Sequence, residues 1–175
     1  MKREEYTPER IKTAVEIING LEWGQMPLEI FMALMAKIPS VPIDLAIIDS
    51  RGRVFLAHRD DQEFGRGVHF PGTVLRFGET SRDALARLTS EELAGIGALG
   101  PIYEVRHIEI PHGHGRGFNP TRQEMSIFHV VRLLGEIPSG KGIFVDVDNP
   151  PENLLPHHFL HFEKLREWLN EHPEF

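Results

Sequence analysis

The spacing of apolar residues changes character along the chain, and each change marks an element. Behind Thr7-Pro8, a capping hydroxyl followed by a proline suited to the first helical position, Ile11, Val15 and Ile18 recur at helical spacing, and Gly20 can close that helix. A second helical run, residues 27–37, carries Ile30, Phe31, Leu34 and Met35 and stops before Pro39. The pattern then turns β-rich. VPIDLAIID (41–49) and RVFLAHR (53–59) flank Ser50-Arg51-Gly52, which reads as a hairpin turn. IYEVRHIEI (102–110), MSIFHVVRLL (125–134) and GIFVDV (142–147) are further strands. From about Pro156 a last helix places Phe159, Phe162, Leu165, Trp168 and Leu169 on one side. The pattern therefore predicts a helical appendage over residues 1–39 and an α/β (α+β) domain over 40–175. That domain has a mixed sheet, one internal helix and one terminal helix.

Composition narrows the function classes. At 175 residues the chain suits one domain with an appendage, and 41% hydrophobic with 26% charged residues is ordinary for a globular protein. The absence of cysteine excludes disulfides, thiolate nucleophiles and zinc–thiolate sites. A formal net charge of −7 disfavours broad binding to nucleic acid, yet leaves room for a small anionic substrate in a locally positive pocket. MKREEYTPER lacks the apolar stretch of a signal peptide, and no run approaches the ~20 apolar residues of a membrane span. A soluble, cytoplasmic protein with no membrane or nucleic-acid partner is the expectation. The appendage can pack on the main domain or form an interface, for instance in a homodimer.

The chemistry concentrates in FPGTVLRFGETSRDALARLTSEELAGIG, residues 70–97. Thr80-Ser81-Arg82-Asp83 has the form of a capping box, so a helix starts near Ser81. Pro71-Gly72 and Gly78-Glu79 precede it, their glycines allowing close backbone approach to a ligand. At ~100° per residue, Leu85, Leu88 and Glu92 share one helix face, with Arg87 and Glu91 neighbours on an adjacent one. Glu92 aligned with two leucines needs a cation or strong hydrogen bonds, and a Mg²⁺ ion held by one or two carboxylates and phosphate oxygens would serve. On spacing alone, an ordinary solvated Arg87–Glu91 pair is an equally good account.

This segment resembles the Nudix box: a glycine, five residues, glutamate, seven residues, Arg-Glu, an aliphatic residue, any residue, Glu-Glu, any residue, glycine. Glu79 matches the first glutamate, Arg87 the arginine, and Glu91-Glu92 the pair, with Gly72 at the first glycine of the usual Pro-Gly-Gly. Thr73, Leu88 and Ala94 depart from the pattern, Leu88 by removing a carboxylate that normally ligates metal; Gly95 stands one residue late. Arg87-Leu88-Thr89 is similar to the GDP-mannose mannosyl hydrolase branch, as is the stretch 40–59 with Asp44 and Arg59. The resemblance implies a Nudix-like α/β/α sandwich and Mg²⁺ or Mn²⁺ held by the Gly72 carbonyl and Glu92, with Glu79 a further candidate ligand. It implies catalytic roles for Arg87 and Glu91, an Arg59 that steadies the leaving diphosphate, and an Asp44 that contacts the sugar. The substrate it implies is a nucleoside diphosphate derivative, first a nucleotide sugar such as GDP-mannose, cleaved at the anomeric carbon. That branch takes a metal ligand and its base from a late Gln-His pair, whereas this chain has Ser139-Gly140-Lys141-Gly142 there and keeps Glu91. The alternatives are attack at phosphorus on a nucleoside triphosphate or other diphosphate, and a non-catalytic nucleotide-binding module.

The ten histidines supply further candidates. His112 and His114 lie in the Gly- and Pro-broken loop PHGHGRGFNPTRQE, where either imidazole could act as base; a plain solvated loop is the competing account. Arg116 and Arg122 in the same loop are candidate phosphate ligands, or surface arginines. His157 and His161 are one helical turn apart, a spacing that can bind zinc, but without a Glu-x-x or cysteine companion the expectation for His157, His158 and His161 is capping and packing. Asp146, Asp148 and Glu152 read as the approach to the last helix, with a substitute base or ligand as the lesser alternative.

Overall fold

A computed structural model of the chain describes residues 6–22, 26–61, 64–94 and 96–175, Glu92 by its backbone alone. The chain divides into two compact units, Met1–Leu34 and Met35–Phe175. The first holds α1 (Pro8–Asn19) and most of α2 (Leu28–Met35). Thr7 caps α1, its hydroxyl accepting from the Arg10 N–H at 3.3 Å. Gly20 closes it in the right-handed conformation, its N–H donating to the Glu16 and Ile17 carbonyls at 3.1 Å.

The second unit is built on β1 (Pro42–Ile48), buried along its whole length because it sits mid-sheet with a layer on each face. The expected hairpin joins it antiparallel to β2 (Val54–Asp61), Ile47 opposite Phe55. Asp49 fixes the turn: one carboxylate oxygen accepts from the Arg51 and Arg53 N–H groups at 2.9 Å, the other from the Arg53 guanidinium at 2.7 Å. Gly52 supplies the positive φ of 77° that this turn requires. β3 (Gly65–His69) borders β2, and β4 (Gly72–Val74) takes the first half of the β1 edge whose second half pairs β2. Neither shows a period in the sequence, because one is broken by glycines and the other is three residues long. β6 (Glu124–Leu133) runs parallel to β1 on its other edge, β5 (Leu99–Ile110) closes antiparallel on β6, and β7 (Gly142–Val145) pairs β2. The sheet is mixed, in the order β3-β2-β1-β6-β5.

Period-two alternation in β1 separates two cores. Ile43, Leu45 and Ile47 pack with Ala84, Leu85 and Leu88 of the internal helix, whereas Ala46 and Ile48 pack with Phe162, Leu165 and Trp168 of the last one. The internal helix is α3 (Ser81–Arg87), followed by a wider π-helical turn at Leu88–Glu92 in which the Leu93 N–H reaches the Leu88 carbonyl at 3.0 Å. The ~100° step therefore holds only as far as Arg87, and the shared face expected for Glu92 with Leu85 and Leu88 no longer follows from spacing. The last helix opens as a 3-10 turn, Pro156–His158, before α4 (Phe159–Glu171). The sandwich has helices on both faces of the sheet, as expected. No helix among the described residues is long and apolar enough to cross a membrane.

Leu88 is wholly buried in the α3-side core. Leu88→Ala should cost about 2–5 kcal/mol of stability, the range for truncating a buried leucine. Urea unfolding reads this directly, and a loss under about 1 kcal/mol would mean that Leu88 does not pack as described.

Candidate functional site

Arg87 organises the loop–helix segment. From the last turn of α3 it donates through Nε to Glu79 Oε1 at 2.8 Å and through Nη2 to Glu79 Oε2 at 2.9 Å. Nη1 donates to Thr73 Oγ1 at 2.6 Å and Nη2 to the Val74 carbonyl at 3.0 Å. One guanidinium thus ties β4, the connecting loop and the helix together, in the two-pronged geometry that arginine and carboxylate favour. Glu79 Oε2 also accepts from the Arg76 N–H at 2.9 Å. Glu79, expected as a metal ligand, thus has both oxygens hydrogen-bonded within the segment, to Arg87 and to the Arg76 N–H. At the start of the helix the capping box forms as its sequence implies: Thr80 Oγ1 accepts from the Asp83 N–H at 3.2 Å, and the Asp83 carboxylate accepts from the Thr80 N–H at 2.9 Å.

Among the described residues, the Arg87 contacts do not involve the two ends of the segment, Gly72 and Glu91. Gly72 is opposite Asp44 in the β1–β4 ladder. Its neighbours in register, Pro71 and Leu75, carry the ladder bonds, Leu45 N–H to the Pro71 carbonyl at 2.9 Å and Leu75 N–H to the Val41 carbonyl at 2.8 Å. By antiparallel alternation the Gly72 carbonyl faces away from β1. A Cβ at Gly72 would clash with Asp44 Oδ1, so any side chain there would have to displace the Asp44 carboxylate. At the other end, Glu91 is exposed on the π-helical turn beside Glu92, whose side chain lies outside the described residues, as does Gly95. Leu88 points into the core and offers no ligand. The donors on offer are all oxygen, which suits the hard cations Mg²⁺ and Mn²⁺.

Asp44 joins this segment to a second cluster on the α4 side of the sheet. Its Oδ2 accepts from Ser126 Oγ at 2.6 Å and lies 3.0 Å from His161 Nε2. Burial alone would push the Asp44 carboxyl up, but the hydrogen bonds from His161 and Ser126 hold it below its ordinary value. Around it stand His69, His157 and His158. Burial, the leading cause at each, drives His69 down to about 4, His157 down to about 3 and His158 well below the ordinary 6.5, so these imidazoles are neutral. Sequence reasoning treated His157, His158 and His161 as helix residues and missed His69 and Ser126. Nothing local marks the group, which assembles only when β1, β3, β6 and α4 meet.

The arginine candidates are placed differently from one another. Arg59, on β2, is half-buried, pairs with Asp61 and lies over the Phe64 ring, its Cζ 4.4 Å from the ring centre. Arg122 is buried, donates to Glu124 Oε1 at 2.9 Å and faces the same ring at 5.5 Å. Arg116 is exposed over Phe159 at 4.4 Å. The loop carrying His112 and His114 is hydrogen-bonded, with Gly113 N–H to the Asn119 carbonyl at 2.9 Å and Gly117 N–H to the Pro156 carbonyl at 2.8 Å. Both imidazoles are exposed; His112 Nε2 lies 3.2 Å from the Pro120 carbonyl, so that nitrogen carries the proton. Asp146 caps its own turn by accepting from the Asp148 N–H at 2.9 Å, as a helix approach would.

The geometry has known counterparts. The family model described as NUDIX domain matches residues 39–172. Among solved structures, the chain is similar to a structure described as a possible asymmetric diadenosine tetraphosphate hydrolase from Jonesia denitrificans (TM-score 0.61, 15% identity, 77% of this chain and 96% of that one). It is similar to the MutT protein of Methanosarcina mazei Go1 (TM-score 0.57, 17% identity, 75% and 96%). It is also similar to the NUDIX domain of Shewanella oneidensis NrtR, determined with ADP ribose (TM-score 0.53, 14% identity, 89% and 97%). At these identities the likeness establishes the fold alone. No curated protein matches the chain in sequence.

The Arg87–Glu79 pair has a pH signature. Hydrogen bonds from Arg87, its leading cause, hold Glu79 down to about 2 against an ordinary 4.5. A depressed carboxyl stabilises the fold fully above its unfolded value, and that contribution is lost as pH falls from about 4.5 towards 2. Urea midpoints of the wild type should therefore drop across that window, and Glu79→Gln should lose part of the slope. Identical profiles for the two proteins would refute the pairing.

Proposed function

The chain belongs to the NUDIX domain family, and on that premise we propose that its loop–helix segment hydrolyses a nucleoside diphosphate derivative with Mg²⁺ or Mn²⁺. The observation that carries this reading is the Arg87 staple, which fixes the Gly72 strand, the Glu79 loop and the start of the Glu91-Glu92 turn as one unit. The Gly72 carbonyl, Glu92 and Glu91 would hold the ion. When bound, it supplies positive charge against the diphosphate in the transition state.

The protein's own groups do the remaining work. Arg59, held over Phe64 at the rim of the Asp44 cluster, binds the leaving diphosphate and stabilises the charge that gathers on it. Arg116, exposed on the 111–123 loop, is the second phosphate contact. His112 or His114 takes the proton of the attacking water. Glu79 and Arg87 are positioning residues. Arg122 is engaged by Glu124 and steadies the loop.

A nucleotide sugar such as GDP-mannose is the first substrate on this reading. The burial of Leu88 supports it, because the segment then has one carboxylate fewer than its general pattern and shares Arg-Leu-Thr with the sugar-releasing branch. Water oxygen attacks the anomeric carbon, the carbon–oxygen bond to the diphosphate breaks, and the base receives the water proton, giving free sugar and nucleoside diphosphate. Attack at phosphorus is the second reading, favoured by Glu91-Glu92, which keeps the paired carboxylates of the general pattern.

Two experiments test these statements. Glu92→Gln should lower metal-dependent kcat by on the order of a hundredfold or more while circular dichroism stays unchanged; full activity would remove Glu92 from the metal site. Nucleotide sugars, ADP ribose, nucleoside triphosphates and a dinucleoside tetraphosphate can be compared in ¹⁸O water. Label in the released sugar supports attack at carbon, and label in phosphate supports attack at phosphorus. Wild-type protein that binds these compounds with Mg²⁺ yet turns over none would overturn the catalytic reading in favour of a nucleotide-binding module.

A further inference from the structure

Four imidazoles gather where β1, β3 and α4 meet. The ring centres of His157 and His158 are 4.2 Å apart, those of His158 and His161 4.8 Å, and those of His69 and His158 5.8 Å. Phe70 and Phe128 enclose His161 at 5.6 and 4.8 Å. His157, His158 and His161 are all buried. Phenyl rings would pack this space without bringing polar atoms into it. Yet the Nδ1 atoms of His157, His158 and His161 have no hydrogen-bond partner among the described residues. Buried ring nitrogens left in that state are costly, and three together call for an explanation. A neutral imidazole whose nitrogen holds a lone pair is what a metal ion uses.

We propose that Asp44, His158 and His161 form a transition-metal site, separate from the oxygen donors of the loop–helix segment, that takes Zn²⁺ or a Zn²⁺-like divalent ion. One donor atom from each residue lies within 4.8 Å of the others, so a modest inward movement closes three ligands on one ion. Two imidazoles and a carboxylate are a borderline-soft set, suited to Zn²⁺ and poorly suited to Mg²⁺. Support from outside the ligands is already in place: Ser126 Oγ donates to Asp44 Oδ2 at 2.6 Å, and Gly72 leaves room for Oδ1 that any Cβ would fill. Three protein ligands leave a coordination position for water or a ligand oxygen. The site goes beyond the proposed hydrolysis and stands whether or not that reaction occurs.

The test equilibrates the full chain with Zn²⁺ in excess Mg²⁺, which occupies the oxygen-donor set. Wild type should retain one Zn²⁺ per chain after gel filtration, with two imidazoles in its first shell by X-ray absorption. His158→Gln and His161→Gln should each weaken retention at least tenfold, whereas Glu92→Gln should retain Zn²⁺ as wild type does. No retained Zn²⁺, a shell of oxygens only, loss of Zn²⁺ in Glu92→Gln, or an unchanged spectrum in folded His158→Gln would each overturn the proposal. Should the histidine variants fail to fold, the wild-type spectrum decides, since fewer than two imidazoles excludes this ligand set.

Discussion

A carboxylate in the middle of a buried strand constrains everything around it, and Asp44 is that carboxylate. β1 has a partner strand on both edges along its start and a packed core on each face, so Asp44 has little access to water. An ionised group in that position must find its partners inside the protein. Ser126 on the parallel neighbour and His161 on α4 supply them, and Gly72 on the antiparallel neighbour yields the space its oxygen needs. One side chain thereby fixes the register of β4 against β1, the choice of a small hydroxyl on β6, and the docking of α4 through its first turn.

The same residue explains why two chemically different clusters share a border. On one side, the Gly72 carbonyl is turned out of the ladder beside a loop that Arg87 and Glu79 hold rigid. On the other, buried imidazoles and phenyl rings pack against one another. Hard oxygen donors lie on the first side and softer nitrogen donors on the second, so the two sides are suited to different ions. The burial of Leu88 fits this division: the position that would carry another carboxylate contributes instead to the α3-side core. The loop–helix segment has thus exchanged one possible ligand for packing while keeping the staple that shapes it.

Much of this was legible in the chain because it rests on local rules. The β1–β2 hairpin follows from alternation interrupted at Ser50-Arg51-Gly52, and the start of α3 from a hydroxyl three residues before Asp83. The charged positions 79, 87, 91 and 92 stood out through their resemblance to the Nudix box, since spacing alone accounts equally well for a solvated Arg87–Glu91 pair. Tertiary structure decided what spacing could not. The widening of the helix after Arg87 alters the phase of every later side chain, and no propensity of Leu88–Glu92 announces it. That Glu79 is held by a guanidinium eight residues away, through both its oxygens, follows only from the folded segment. The contacts that gather Asp44 with Ser126 and His161 span 82 and 117 residues. Local periodicity carries no record of such distances, because they are set by which strands become neighbours in the sheet and which face the last helix covers.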